Sequence, residues 1–153
     1  MRRMLLLASA VAALGAVPAA TAHVGPTKNT APAGGFETIG FTVPHGCEGS
    51  PTRQVSIQIP AGVTSAKPRP KPGWKITIKR GTLPQPVKDF SGKTVTTGVL
   101  EVTWTGGPLP DAWFDTFELN LGLPDTPGKT IYFKTVQRCT KGVHRWIQIP
   151  VKG

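Results

Sequence analysis

The sequence is poor in sulfur. Met1 and Met4 are its two methionines, and Cys47 and Cys139 are its two cysteines, in 153 residues. Neither cysteine belongs to a CxxC pair, the spacing typical of thiolate metal sites. Soft sulfur ligands, which favour Cu(I), are therefore scarce, and a Cu(I) site would need both cysteines in the reduced state. In an oxidising compartment we expect Cys47 and Cys139 to form one disulfide.

Acidic residues are also few, with 8 Asp and Glu against 18 Lys and Arg and a net charge of +10. The lysines are scattered, and the dense basic runs with interleaved aromatic residues that indicate nucleic-acid binding are missing. The sequence also lacks a close carboxylate pair, a GxSxG motif and a glycine-rich phosphate loop. We therefore expect a protein with a solvated basic surface that is not an enzyme and does not bind nucleic acid.

Helical periodicity is nearly absent from the sequence. Short segments alternate between apolar and polar residues instead, and they are rich in β-branched and aromatic side chains. Clusters of proline and glycine separate these segments and are typical of turns. The alternating segments are residues 36–43, 54–59, 74–79, 94–104, 114–121, 130–136 and 143–149. This pattern predicts an all-β fold, a single immunoglobulin-like antiparallel β-sandwich of about seven or more short strands.

The N-terminal segment has the pattern of a secretory signal peptide. Arg2 and Arg3 precede an apolar run over residues 5–17, and residues 20–22 read Ala-Thr-Ala. We predict a signal peptide over residues 1–22 and a mature domain over residues 23–153. The apolar run is shorter than the roughly 20 residues of a membrane-spanning helix. Without a lipidation cysteine or a hydrophobic C-terminal tail, we expect a periplasmic or extracellular protein with no membrane anchor.

Cleavage after Ala22 would make His23 the first residue of the mature protein. Its α-amine and imidazole could then bind one metal ion as a bidentate pair of nitrogen donors. Such donors suit Cu(II), which prefers tetragonal nitrogen and oxygen coordination. An α-amine with a pKa near 8 is largely protonated at neutral pH, so copper competes there with a proton. The alternative is that His23 follows the cleavage site by chance.

Four other residues are candidates for a metal site, but the sequence leaves each of them open. Glu37 lies in an alternating segment, as either an exposed strand residue or a ligand. His45 and His144 are of a type that is more often structural than ligating. Trp146 is either part of the core or a wall beside a metal ion, since tryptophan serves both purposes.

Several motifs, in a fixed order along the mature chain, resemble those of the YcnI-like family of exported bacterial copper-binding β-sandwich domains. They are AHV, GGFETIGFTVPHGC, GSPTRQVSIQIP, KPRPKPGW, EVTWTGGPLPDAWFDTFELNLGLPD and VQRCTKGVHRWIQIP. No single motif is decisive, and the specificity lies in their order and spacing. The resemblance extends over essentially the whole of residues 23–153.

The resemblance implies one Cu(II) ion in a single-histidine brace. The ligands would be the amine and imidazole of His23 and an oxygen of Glu37, with Trp146 beside the metal. The expected partners are the copper ion and a copper importer or another exported copper carrier. A Cys47–Cys139 bridge would join the exit of the first strand to the last hairpin. The expected role is copper storage, delivery or homeostasis.

Two other functional classes fit the same residues. A copper-dependent oxidase of the polysaccharide-monooxygenase type also begins with histidine, but it needs a second histidine, here His45 or His144. A metal-free structural β-sandwich would need none of these ligands. Metal binding and reductant-dependent oxidation are the measurements that separate the three classes.

Overall fold

The computed structural model describes residues 23–150, so the predicted signal peptide lies outside the described residues. Nine strands follow one another along this part of the chain. They are β1 (Gly25–Pro26), β2 (Phe36–Val43), β3 (Thr52–Gln58), β4 (Ser65–Pro68), β5 (Trp74–Lys88), β6 (Thr94–Leu109), β7 (Asp115–Gly122), β8 (Thr135–Cys139) and β9 (Val143–Trp146). One sheet has the order β1-β2-β7-β4, and the other has the order β5-β6-β3-β8-β9.

This architecture confirms the predicted all-β sandwich. Every strand pairing is antiparallel. Strand β5 is longer than its alternating segment because its pairing with β6 continues as far as Lys88, and β6 is longer because its pairing continues past Trp104 to Gly106 on β5 and to Leu109 on β3. The segment 130–136 was predicted as a strand, but β8 begins only at Thr135. Among residues 23–150 no helix is long and apolar enough to cross a membrane.

The core lies between the two sheets and follows from the alternation of each strand. Val55 and Ile57 of β3 and Trp104 of β6 point inward from the five-stranded sheet, and all three are fully buried. Phe117 and Leu119 of β7 meet them from the other sheet, and the Phe117 ring lies 5.5 Å from that of Trp104. Fully burying one such side chain stabilises the fold by about 1.5–3 kcal/mol.

The sandwich has one side where an edge strand from each sheet comes together. β1 is the edge of the four-stranded sheet, and β9 is an edge of the five-stranded sheet. We call the region between these strands the β1/β9 seam, and it contains His23 and Trp146. Elsewhere, the tip of the β5–β6 hairpin reaches back to the start of β2, where the rings of Phe90 and Phe36 stack at 4.1 Å.

The predicted disulfide is present between Cys47 and Cys139. Cys47 follows β2 of one sheet, and Cys139 is the last residue of β8 in the other sheet. The bond therefore ties the two sheets together, close to the hairpin that forms β9. The residues are 92 apart in sequence, so the closed loop includes most of the domain.

Candidate metal centre

His23 is held at the seam by the short ladder that follows it. Gly25 pairs with Thr42, and the amide of Thr27 donates to the carbonyl of Gly40 at 2.8 Å. This segment therefore runs antiparallel along the edge of β2, with His23 at the end where β2 leaves the sheet. The side chain of His23 is exposed. Its amine becomes free only if the chain is cut after Ala22.

Trp146 comes to the same place from the opposite sheet. It pairs with Thr135 of β8, and His144 pairs with Gln137. Directly paired residues of antiparallel strands have their side chains on the same face of the sheet. Because Thr135 and Gln137 are buried, at 2% and 1% exposure, Trp146 and His144 lie on the inner face of β9. This face is directed toward the other sheet.

Four rings lie next to one another at the seam. The rings of His23 and Trp146 meet edge-to-face with 4.6 Å between centroids. His144 stacks on Trp146 at 5.4 Å and 22°. His45, which follows β2, lies 6.1 Å from His144 with the two ring planes at 90°. We call these four residues the aromatic row, in the order His45, His144, Trp146, His23.

Glu37, the other predicted ligand, is not part of the row. It lies five residues from Thr42 along β2, and Thr42 is the residue that pairs with Gly25. At about 3.3 Å per residue this separation is roughly 16 Å, in the direction away from His23. The register of β1 on β2 thus places the two predicted ligands, His23 and Glu37, toward opposite ends of β2.

The carboxylate of Glu37 has a partner of its own. Lys28 donates to Oε1 at 2.6 Å, and the backbone amide of Thr38 donates to the same atom at 3.1 Å. The hydrogen bond from Lys28 is the largest cause of the lowered pKa of Glu37. Because Lys28 is half exposed and Glu37 is partly exposed, the ion pair contributes little to stability. Glu37 thus joins the N-terminal segment to β2.

Two aspartates that the sequence analysis did not single out lie at the His23 end of β2. Asp115 is the register partner of Val43, and its carboxylate accepts from Lys71 at 2.6 Å. Asp111 accepts from the amide of Gly46 at 3.0 Å. Within residues 23–150 no group of three or more His, Cys, Asp or Glu side chains is placed to hold a metal ion. A metal ion at the seam would therefore need the His23 amine as a ligand, or it would be held by at most two of these side chains.

The indole of Trp146 has a polar atom that needs a partner. Its Nε1 is buried and has no hydrogen-bond acceptor among the described residues. Buried donors are normally satisfied by protein, water or a bound group. The ring also lines an open groove of about 730 Å³ between the N-terminal segment and residues 123–134. The groove beside Trp146 is therefore open to solvent, while Nε1 is a buried donor without a partner among the described residues.

The donors that cleavage would leave at the seam are nitrogens, which suit a borderline metal ion such as Cu(II) better than a hard or a soft one. After cleavage His23 would supply an amine and an imidazole nitrogen, and the neighbouring rings belong to Trp146 and His144. Borderline nitrogen donors of this kind suit Cu(II), Ni(II) and Zn(II), and Cu(II) binds most tightly in that series. The two sulfurs of Cys47 and Cys139 are joined in a disulfide and are not available as thiolates.

Comparisons with known proteins support the fold and identify the family. A crystal structure of an uncharacterized protein from Nocardia farcinica, described as having an immunoglobulin-like fold, is 26% identical to the chain, with a TM-score of 0.63. The similarity covers 86% of this chain and 88% of that one. The comparison with curated proteins found no relative. The family model "Domain of unknown function (DUF1775)" matches residues 23–153, and the YcnI-like domains are part of this family. The chain therefore belongs to the DUF1775 family.

Proposed function

We propose that the exported and cleaved protein binds one Cu(II) ion through the amine and imidazole of His23, and that it acts in copper storage, delivery or homeostasis. The observation that supports this most is the 4.6 Å contact between the rings of His23 and Trp146. It brings the predicted first residue of the mature chain to the tryptophan that the family resemblance associates with the metal. Nothing in the local sequence of either residue requires this contact.

The chemistry of the proposed site follows from His23. Its two nitrogens would bind one ion as a chelate, and binding would displace the proton of the amine. Water would supply the remaining ligands, because Glu37 is directed to Lys28 and lies at the other end of β2. Trp146 would cover one side of the ion and could donate from Nε1 to a bound oxygen. The protein's contribution is to hold the two nitrogens at a partly shielded edge of the sandwich.

The direct test is electron paramagnetic resonance of the mature protein, beginning at His23, with less than one equivalent of Cu(II). We expect one tetragonal species with nitrogen hyperfine structure. The species should be lost in His23→Ala and in a protein with Gly-Ser-Gly-Ser added before His23. Four residues are added because a histidine at the second or third position still chelates Cu(II) together with the amine and the intervening amide nitrogens.

Glu37→Gln is the matched control, because it removes a carboxylate of β2 that lies away from His23. We expect its spectrum to equal that of the parent protein. The proposal is wrong if the extended protein keeps the same species, or if the parent protein binds copper no better than a free peptide that begins with His-Val-Gly.

Export and the role in copper handling need separate tests. Sequencing the N-terminus of the secreted protein should give His-Val-Gly-Pro, as expected from cleavage after Ala22. We expect the partner to be a copper importer or another exported copper carrier, which isotope exchange of ⁶⁵Cu with such a protein would detect. Reductant-dependent oxidation of a polysaccharide by the copper-loaded protein would contradict a role limited to binding.

A further inference from the structure

We infer that His45 and His144 form a second metal site, separate from His23, for a divalent cation of the class that prefers imidazole nitrogen, such as Cu(II) or Zn(II). The two rings lie 6.1 Å apart at the end of the aromatic row. They come from different parts of the chain, one following β2 and the other in β9. Neither the proposed function nor the family resemblance uses this pair.

The distance between the rings fits a shared metal ion. A metal–nitrogen bond of about 2.0–2.1 Å places the ion roughly 3.2 Å from the centroid of an imidazole ring. Two imidazoles on one ion are then separated by about 4.5 Å at a right angle and about 6.4 Å in a linear arrangement. The observed 6.1 Å lies within this range. The perpendicular planes also exclude face-to-face stacking of the two rings.

His45 has the protonation pattern of a metal ligand. Its Nδ1 lies 2.6 Å from the carbonyl oxygen of Gly46. A carbonyl oxygen can only accept, so Nδ1 carries the proton and Nε2 keeps a free lone pair. Metal-binding histidines commonly use this arrangement, in which a backbone carbonyl fixes the tautomer and the orientation of the ring. His45 is therefore prepared to bind a cation through Nε2.

The surrounding structure holds both histidines in place. Gln137 donates from Nε2 to the carbonyl oxygen of His45 at 2.6 Å, and Gln137 is also the residue that pairs with His144. The amide of Gly46 donates to Asp111 at 3.0 Å, and the amide of Cys47, in the peptide whose carbonyl accepts from His45, donates to the carbonyl of Ser50 at 2.9 Å. The disulfide at Cys47 anchors the same turn. A pair held in this way loses little conformational freedom on binding.

Trp146 separates this pair from His23. His144 stacks on the indole at 5.4 Å, and His23 contacts the same indole at 4.6 Å. Because no third side-chain ligand joins the pair among residues 23–150, water would complete the coordination. An ion held by two side chains and water exchanges readily. We expect weaker binding than at His23 and a preference for Cu(II) over Zn(II), following the Irving–Williams order.

The test uses the mature protein with His23→Ala, which removes the proposed His23 site and leaves His45 and His144 as its two histidines. Calorimetric titration with Zn(II), and separately with Cu(II), should give one equivalent. Adding His144→Gln or His45→Gln should weaken binding at least tenfold. Arg145→Gln is the matched control, since it changes the neighbouring residue on the other face of β9 and should leave the affinity unchanged.

A second measurement does not depend on the folding of the variants. Long-range ¹H–¹⁵N spectra of the His23→Ala protein resolve the ring nitrogens of both histidines. Zn(II) should shift Nε2 of His45 and one ring nitrogen of His144, with Nδ1 of His45 still protonated. The inference is overturned if neither ring responds to one equivalent of Zn(II). It is also overturned if the His23→Ala, His144→Gln protein binds Zn(II) as tightly as the His23→Ala protein. Because His23 is absent throughout, these results are independent of the proposed function.

Discussion

The imidazole of His23 and the indole of Trp146 meet edge-to-face, with 4.6 Å between their centroids, across the two sheets of the sandwich. Each ring is positioned by pairing within its own sheet: β1 on β2 in one, and β9 on β8 in the other. The contact thus depends on the packing of the whole domain. After cleavage before His23, this contact would hold the free N-terminus against the folded domain.

Replacing Trp146 by leucine should expose a Cu(II) ion bound at His23. We expect the ion to stay bound but to be reduced by ascorbate several times faster, because the ring that covers one side of it has been removed. The decay of the Cu(II) resonance signal measures this rate. Trp146→Phe keeps an aromatic ring, so its reduction rate should lie between those of the parent protein and Trp146→Leu. Trp113→Leu changes an exposed position and should be reduced at the rate of the parent protein. Equal rates in all four proteins would show that Trp146 does not shield the metal.

Removing Lys28 should change how stability depends on pH. The hydrogen bond from Lys28 lowers the pKa of Glu37 in the folded protein. A lowered folded-state pKa adds stability above the unfolded pKa, and this stability is lost as the pH falls through the folded pKa. Lys28→Gln should therefore be slightly less stable than the parent at pH 7, and the difference should disappear near pH 2.

Urea unfolding at the two pH values measures this difference. Lys129→Gln changes the net charge equally, and Lys129 takes part in no ion pair within the described part of the chain. It should show no such pH-dependent difference from the parent. A deficit of Lys28→Gln that stays constant from pH 7 to pH 2 would contradict the assigned cause.

Breaking the disulfide should destabilise the domain strongly. Cys47 and Cys139 are 92 residues apart, and in the chain-entropy model a loop of this size corresponds to about 4–5 kcal/mol. We expect the free energy of unfolding of the double variant Cys47→Ser, Cys139→Ser, measured by urea denaturation, to be lower than that of the parent by about this amount. The parent protein with its disulfide reduced should match it. A loss below about 1 kcal/mol would mean that the unfolded chain is not restricted by the bridge.

Replacing Gln137 by leucine should lower the stability of the fold, because two polar groups would lose their hydrogen-bond donor. Its Nε2 donates to the carbonyl oxygen of His45 and to Oγ1 of Thr52, at 2.6 Å and 2.7 Å. Leaving buried groups without their partner costs about 1–3 kcal/mol. The free energy of unfolding should fall by this amount, and Gln148→Leu at an exposed position should change it little. An unchanged stability would show that water replaces the amide at both groups.

The fold could be predicted from the sequence because strand alternation is a local signal. Residues two apart in β3 and in β7 point to the same face, so Val55 and Ile57, or Phe117 and Leu119, are found in the core as the pattern indicates. The start of β8 was predicted five residues too early, because residues 130–134 are apolar enough for a strand and yet lie in a loop.

The site was predicted only in part because register is a long-range property. His23 and Trp146 were identified from their motifs, and the structure brings them together. Glu37 was assigned from its position in the first long strand, but its place relative to His23 depends on how β1 pairs with β2. The approach of His45 to His144 depends on where the chain leaves β2 in one sheet and where β9 lies in the other. No local spacing in the sequence contains this information.

The β1/β9 seam also brings together the first and the last of the described strands. Chain ends are ordinarily where folded domains begin to fray. Here His23, just before β1, contacts Trp146 of β9, the last described strand, so loosening either segment exposes the other. A cation bound at the seam would hold the first and last described strands together. It would therefore slow the unfolding of both.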